Sequence, residues 1–187
     1  MCLCDDCQAY VHWLGRANEN LDQNGGTEVF SVAPAHLQIT GGFENLNCVR
    51  LSQKGMYRWY AGCCKSPVAN SMPPPKIPFA GVHRAIFDFG GDERKRGEVM
   101  GPIRAKVQGK FGIGPLPPDV FRSTPIGLIL RTIGFLLVGA FKKQHRPSPF
   151  FDDKGEPKVQ PYVLEKNERE NLRNYCGPKD LNTAQVF

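Results

Sequence analysis

At 187 residues with 41% hydrophobic content, the chain is long enough to fill one core and short for several. Its 20 Gly and 16 Pro argue against a helical bundle and for a turn-rich, mainly β or α+β protein. The formal charge of +6 is spread along the chain instead of gathered in one run, so no nucleic-acid partner is expected.

In chain order, residues 6–15 predict a short helix, because Ala9, Tyr10, Trp13 and Leu14 recur at helical spacing and Asp5 or Asp6 can cap its start. Gln23-Asn24-Gly25-Gly26 is a turn. Residues 28–32 and 36–40 predict two strands separated by Pro34. Residues 45–53 and 56–62 predict a further pair around Lys54-Gly55, with Val49, Leu51, Tyr57, Trp59 and Tyr60 suited to a pleated surface. Residues 68–71 and 80–89 have strand character and flank a rigid Pro-rich connection at 72–78. Residues 92–97 form a charged loop, and 111–118 are Gly/Pro-rich. Residues 125–143 are the one long apolar helix candidate, expected to pack on the domain. Arg131 interrupts it, it is shorter than the ~20 residues that span a bilayer, and Lys142, Lys143, His145 and Arg146 crowd its end. No membrane span is expected, although the basic flank would also suit a membrane interface. A short polar helix follows at 164–175. This divides into a zinc-binding β-rich domain at 1–121 and a helical extension at 122–187.

Chemistry concentrates in the cysteines. Cys2, Cys4 and Cys7 form C-x-C-x-x-C, a spacing at which a tight turn can aim three sulfurs at one point about 2.3 Å away, the thiolate–zinc distance. A disulfide would join two and strand the third. With no leader-like start, the seven cysteines read as a metal or redox set in a cytoplasmic protein. A helix beginning near Cys7 would favour its thiolate through the backbone N–H groups of the first turn. Three protein ligands leave an open position, as in a catalytic zinc; a fourth cysteine would close a structural site. Cys63 or Cys64 could reach a metal, or the pair could be half-buried core thiols. Cys48 lies in a strand pattern and reads as core, Cys176 as a free thiol near the polar tail. His12 and His83 are auxiliary ligands or structural histidines. Arg50, Arg58 and Lys65 could hold an anion or line a solvated strand face. There is no phosphate-binding loop, dinucleotide fingerprint, Ser/His/Asp arrangement or zincin motif.

Cys2-x-Cys4-x-x-Cys7-Gln8, followed by Arg58-Trp59-Tyr60-x-x-Cys63-Cys64-Lys65-Ser66-Pro67, resembles the glutathione-dependent formaldehyde-activating enzyme family. A bacterial branch of that superfamily is nearest, through Leu51-Ser52-x-Lys54-Gly55 and Pro147-Ser148-Pro149-Phe150-Phe151. The resemblance implies a β-tent fold around Zn2+, a carbon–sulfur lyase acting on glutathione–formaldehyde adducts, and a small thiol or thiol adduct as partner. A non-catalytic zinc module for protein interaction is the competing expectation.

In that family a first C-x-C and a late C-x-x-C-G-x-P bind a structural zinc, and the middle C-x-C-x-x-C binds a catalytic one. This chain begins at the middle cluster, which implies a truncated start. It carries Ala61 where the late motif has its first cysteine, which leaves Cys64, helped by Cys63, for the structural site. Any activity is therefore expected to be weakened.

Overall fold

The computed structural model describes residues 1–178. Its centre is a six-stranded sheet of β1 (Val29–Val32), β2 (Leu46–Arg50), β3 (Tyr57–Ala61), β4 (Pro67–Ser71), β5 (Ala80–His83) and β6 (Tyr162–Val163). The spatial order is β1-β5-β4-β3-β2-β6. All pairs are antiparallel except β2 with β6, which is parallel. Among the described residues five α-helices accompany the sheet: α1 (Asp5–Trp13), α2 (Ala17–Asn20), α3 (Glu93–Met100), α4 (Ile126–Phe141) and α5 (Lys166–Leu172). Helical residues outnumber strand residues, so the architecture is α+β, not mainly β.

Both faces of the sheet are covered, which explains why its strands do not alternate cleanly in sequence. On one face α1 lays Ala9, Tyr10, Val11 and Leu14 against Val49, Leu51 and Tyr60. On the other, Leu46, Cys48, Trp59, Ala69 and Val82 pack with Phe150 and Phe151. Trp59 stacks on Phe150 at 4.9 Å between ring centres and meets Phe151 edge-on at 5.5 Å. The segment after residue 121, expected to be a helical extension, thus supplies two core aromatics and the edge strand β6. A two-residue strand carries too little periodicity to be read from sequence; it is ordered by pairing with Val49 and Arg50.

Three other expectations change. Residues 36–40 are not a strand: Pro34 starts a 3-10 turn, Pro34–His36, closed by Leu37 N–H donating to the Pro34 carbonyl at 3.0 Å. The strand expected over 80–89 stops at His83, because its partner β1 ends there, with Val29 opposite His83, and Arg84–Ile86 turns away. The charged loop at 92–97 is helix α3. Asp92 caps it by accepting from Arg94 N–H at 2.9 Å, and Gly101, at φ 70°, closes it.

The long apolar helix α4 touches the domain through one side only. Gly139 is its sole buried residue, and a Cβ there would lie 2.9 Å from Pro78 Cγ, so only glycine lets helix and loop approach this closely. Ile126, Leu130, Leu137 and Phe141 face solvent, contrary to the expectation of a packed core helix. Among the described residues, no helix is long and apolar enough to cross a membrane.

Candidate metal centre

Residues 1–3 run as an extended segment between two others. Cys2 exchanges backbone hydrogen bonds with Thr27 at 2.8 and 2.9 Å, while Leu3 N–H donates to the Val107 carbonyl at 2.9 Å and Val107 N–H donates to the Met1 carbonyl at 3.1 Å. The chain then enters α1 at Cys4. Cys4 itself is the N-cap, its sulfur accepting from Cys7 N–H at 3.4 Å, so capping falls to a cysteine and not to Asp5 or Asp6. Those two aspartates are held from outside by α5 and its continuation. Arg169 donates to Asp5 at 3.3 Å and to Asp6 at 2.7 Å, and Arg173 pairs with Asp5. Gln8 is fully buried and fastens three segments: its amide donates to the Leu3 and Phe111 carbonyls at 2.7 and 2.8 Å, and its oxygen accepts from Gly177 N–H at 2.9 Å.

The result is three sulfurs, of Cys2, Cys4 and Cys7, all within 4.8 Å of one another. Neighbouring sulfurs around a tetrahedral zinc lie about 3.8 Å apart when each Zn–S bond is near 2.3 Å, so this arrangement fits such an ion with little movement. Among the described residues these three are the one group of three or more candidate metal ligands.

The sulfurs share charge unequally. The Cys7 thiol is held well below its usual range by hydrogen bonds from Cys2 and Cys4, with the charge of Arg58 assisting against burial. Cys2, despite a hydrogen bond to Cys4 that favours its thiolate, is pushed up to about 12 by its hydrogen bond to Cys7 and by burial. Cys4 is pushed up by hydrogen bonds to Cys2 and Cys7 and by burial. Of the three sulfurs, Cys7 is thus the one whose thiolate the surroundings favour.

Beneath Cys7 lies a buried polar relay on three adjacent strands. Arg58 on β3 donates to Asn70 Oδ1 on β4 at 3.4 Å, and Asn70 Nδ2 lies 3.0 Å from His83 Nε2 on β5. Because the amide nitrogen can only donate, Nε2 accepts and the imidazole is neutral. Arg58 also lies 5.3 Å over the Tyr10 ring and 3.7 Å from Asp6. Its guanidinium, though buried, stays charged, because Cys7, Asp6 and Cys4 offset the cost of burial.

His83 carries a pH prediction. Burial depresses it from 6.5 to about 4; the Cys7 charge opposes this and that of Arg58 adds to it. The neighbouring Tyr10, 5.7 Å away between ring centres, has its own phenol pushed up by burial and is neutral throughout. The unfolded chain therefore takes up this proton first as pH falls. Stability is fully present above about 6.5 and is lost progressively towards pH 4, by roughly 3 kcal/mol. Urea titrations of chelator-treated protein at pH 7 and pH 4.5 should show this loss. His83→Gln, which keeps an acceptor for Asn70, should flatten it; an unchanged pH slope would refute the assignment.

A groove of about 520 Å³ opens beside Cys2. Phe30, Ile103, Leu128 and Phe135 give it apolar walls, and Arg104 and Arg131 line it with positive charge. Arg96, also in the lining, is engaged by Glu28 and by the Gly101 carbonyl.

The other residues singled out by sequence lie elsewhere. Cys63 and Cys64 are exposed on the turn after β3, where Cys64 Sγ is 3.2 Å from Ser66 Oγ and its thiol is lowered by that contact. Among the described residues no group of three candidate ligands forms around them. Cys48 is a core thiol, pushed up to about 12 by burial. Cys176 is tucked against α1, its sulfur 3.3 Å from the carbonyls of Asp5 and Leu172. His12 stacks on Tyr175 at 5.0 Å. Arg50 closes its own turn by two hydrogen bonds to the Gly55 carbonyl, at 3.1 and 3.0 Å. Lys65 lies 5.3 Å over the Tyr60 ring. Of the residues weighed from sequence, Arg58 and His83 join the site. Asn70, Gln8 and Arg169 were missed; for Asn70 the available signal was a polar residue directly after the apolar Pro67-Val68-Ala69 of a strand.

Residues 1–160 match a protein-family pattern described as a family of unknown function, DUF6151. The chain belongs to the DUF6151 family. The matched residues take in the three cysteines, the whole Arg58–Asn70–His83 relay, the groove and α4, but stop short of β6 and α5. Comparison with curated proteins and with solved structures gave no match.

Proposed function

We propose that this DUF6151 protein binds one zinc ion through Cys2, Cys4 and Cys7 and acts on small thiol adducts, as a weakened counterpart of the carbon–sulfur lyases that process glutathione–formaldehyde adducts. The observation that carries the reading is the mutual approach of three sulfurs within 4.8 Å at the rim of an arginine-lined groove. Bound there, zinc would supply Lewis-acid polarisation and a lowered thiol pKa at its remaining position. The chain's own residues then have separable tasks. Cys2, Cys4 and Cys7 hold the ion. Arg58, fixed between Asp6, Asn70 and Tyr10, balances the negative charge gathered on the sulfurs. Arg104 and Arg131 would take the carboxylates of a glutathione-like thiol. Phe30, Ile103 and Phe135 would shield the adduct from water. The β-tent assignment belongs to this same reading, supported by the α+β sheet with the cysteine cluster at the start of α1.

The weakening rests on the second site. Ala61 offers no sulfur at the end of β3, and Cys63 and Cys64 are exposed without a third partner among the described residues. Positioning lost from a supporting site can lower a rate by roughly a hundredfold per ~1 Å. The test is zinc-loaded protein with glutathione and formaldehyde, followed against the spontaneous rate. A small acceleration that disappears in Cys7→Ser is expected. No acceleration at all would remove the lyase reading, and a rate far above background would remove the weakening.

One observation favours a second reading, a non-catalytic zinc module. The three cysteines lie where Thr27, Val107 and Gln8 already tie separate segments together, as a structural metal does. X-ray absorption separates the two: three sulfurs with one exchangeable light ligand supports chemistry, and a saturated shell inert to added thiol supports structure.

A further inference from the structure

Helix α4 presents its most apolar side to solvent. Ile126, Leu130, Ile133, Leu137 and Phe141 recur at intervals of four, three, four and four and form one stripe along about 24 Å of helix. Ile126 is 76% exposed, Leu130 63%, Leu137 66% and Phe141 90%. The opposite side, through Leu128, Thr132, Phe135 and Gly139, is the one that seats on the domain. The stripe is therefore surplus to the fold, and a row of large exposed apolar side chains marks a binding surface.

Charge decides what would cover it. The helix carries no acidic residue, and its C-terminal end runs into Lys142, Lys143 and Arg146. Lys76, from the Pro-rich connection, joins them: burial, assisted by the charges of Arg146, Lys76 and Lys143, holds the His145 imidazole below its usual range. This end is fixed in place, because Ala35 N–H donates to the Gln144 carbonyl at 3.0 Å and the Gln144 and His36 side chains lie 3.2 Å apart. A second copy of the chain fits poorly. Parallel pairing of two α4 helices would bring the basic clusters together. Antiparallel pairing would set each cluster against the positive end of the partner helix, with no carboxylate on α4 to neutralise it.

We propose that α4 is a membrane-surface anchor that lies in the plane of an anionic lipid bilayer, its apolar stripe among the acyl chains and Lys76, Lys142, Lys143 and Arg146 on the headgroups. An amphipathic helix in this role buries its apolar side about 5–10 Å into the interface and gains further attraction from each basic residue near anionic lipid. The anchor does not cross the bilayer. Its inner side forms part of the groove wall beside Cys2, so docking would hold the groove next to the membrane.

The test is flotation of the full-length protein with phosphatidylcholine vesicles, with and without phosphatidylserine. The wild type should float with the anionic vesicles, remain behind with the neutral ones, and be released by high salt. Lys76→Gln/Lys142→Gln/Lys143→Gln should lower the affinity on the order of a hundredfold. Leu130→Glu/Leu137→Glu should abolish binding while leaving the circular dichroism spectrum and metal content intact, since both leucines are exposed. Failure of the wild type to bind anionic vesicles would overturn the proposal, as would equal binding to neutral ones. So would a dimer in analytical ultracentrifugation that Leu130→Glu/Leu137→Glu dissociates in a protein that ignores lipid.

Discussion

Replacing Cys7 with serine is expected to strip the purified protein of its metal. Cys7 sits at the third position of α1, where its backbone N–H bonds to the Cys4 sulfur and hydrogen bonds from Cys2 and Cys4 hold its own thiol below the usual range. A hydroxyl in its place neither ionises near neutral pH nor binds a thiophilic ion comparably. Zinc in thiolate sites contributes about 10–16 kcal/mol, so losing one of three sulfurs removes roughly 4 kcal/mol, on the order of a thousandfold in affinity. Elemental analysis should fall from one metal per chain to a trace, and Cys64→Ser should leave it at one. Full occupancy in Cys2→Ser/Cys4→Ser/Cys7→Ser would sink the assignment. Acid should mimic the mutation. Binding must displace the protons held on Cys2 and Cys4, both of which are pushed up. Affinity therefore rises with pH, and acidification weakens it by up to roughly a hundredfold per pH unit while both thiols are protonated.

Trp59→Ala is expected to be the most destabilising single change in the sheet. Trp59 is fully buried at the centre of β3, between Cys48 on β2 and Ala69 on β4. Its ring stacks on Phe150, meets Phe151 edge-on, and donates through Nε1 to Ser71 Oγ at 2.7 Å. Truncation leaves a cavity, strands the Ser71 hydroxyl and loosens the segment that Phe150 and Phe151 attach to the sheet. Buried Trp or Phe to Ala changes cost about 3–5 kcal/mol, which lowers Tm by roughly 10 °C in a domain of this size. Trp59→Phe should recover much of this, since it keeps an aromatic ring against Phe150 and Phe151 and loses the Ser71 hydrogen bond and part of the buried ring. A Tm within a degree or two of wild type for Trp59→Ala would show that the two aromatic layers are not coupled as their geometry indicates.

The readings that survived from sequence are those whose physics is local. Residues 5–13 are helical because acidic residues open the first turn and Ala9, Tyr10, Val11 and Leu14 bury along one side. The hairpin of β2 and β3 turns at Lys54-Gly55, close to where its composition placed it. The readings that failed lacked a local signature. Asp92 capping converts a charged run into α3. Pro34 turns a presumed strand into a 3-10 turn. The fate of α4 depended on what lies opposite it, which its own sixteen residues do not encode.

By itself the sequence determined the metal-binding potential. Cys2, Cys4 and Cys7 fall within six consecutive residues, and one cap and one helical turn bring Cys4 and Cys7 together, although Cys2 is also held by Thr27 and Val107. Only the tertiary structure decided the setting of that cluster. Arg58, Asn70 and His83 come from three strands and meet because strand pairing places them side by side under α1. Arg169, more than 150 residues from the cysteines, is brought onto Asp5 and Asp6 by the packing of α5. The separation follows from reach: a turn positions atoms a few ångströms apart through backbone geometry alone, whereas a buried charge is tolerable only where partners from remote segments are delivered to it by the packed core.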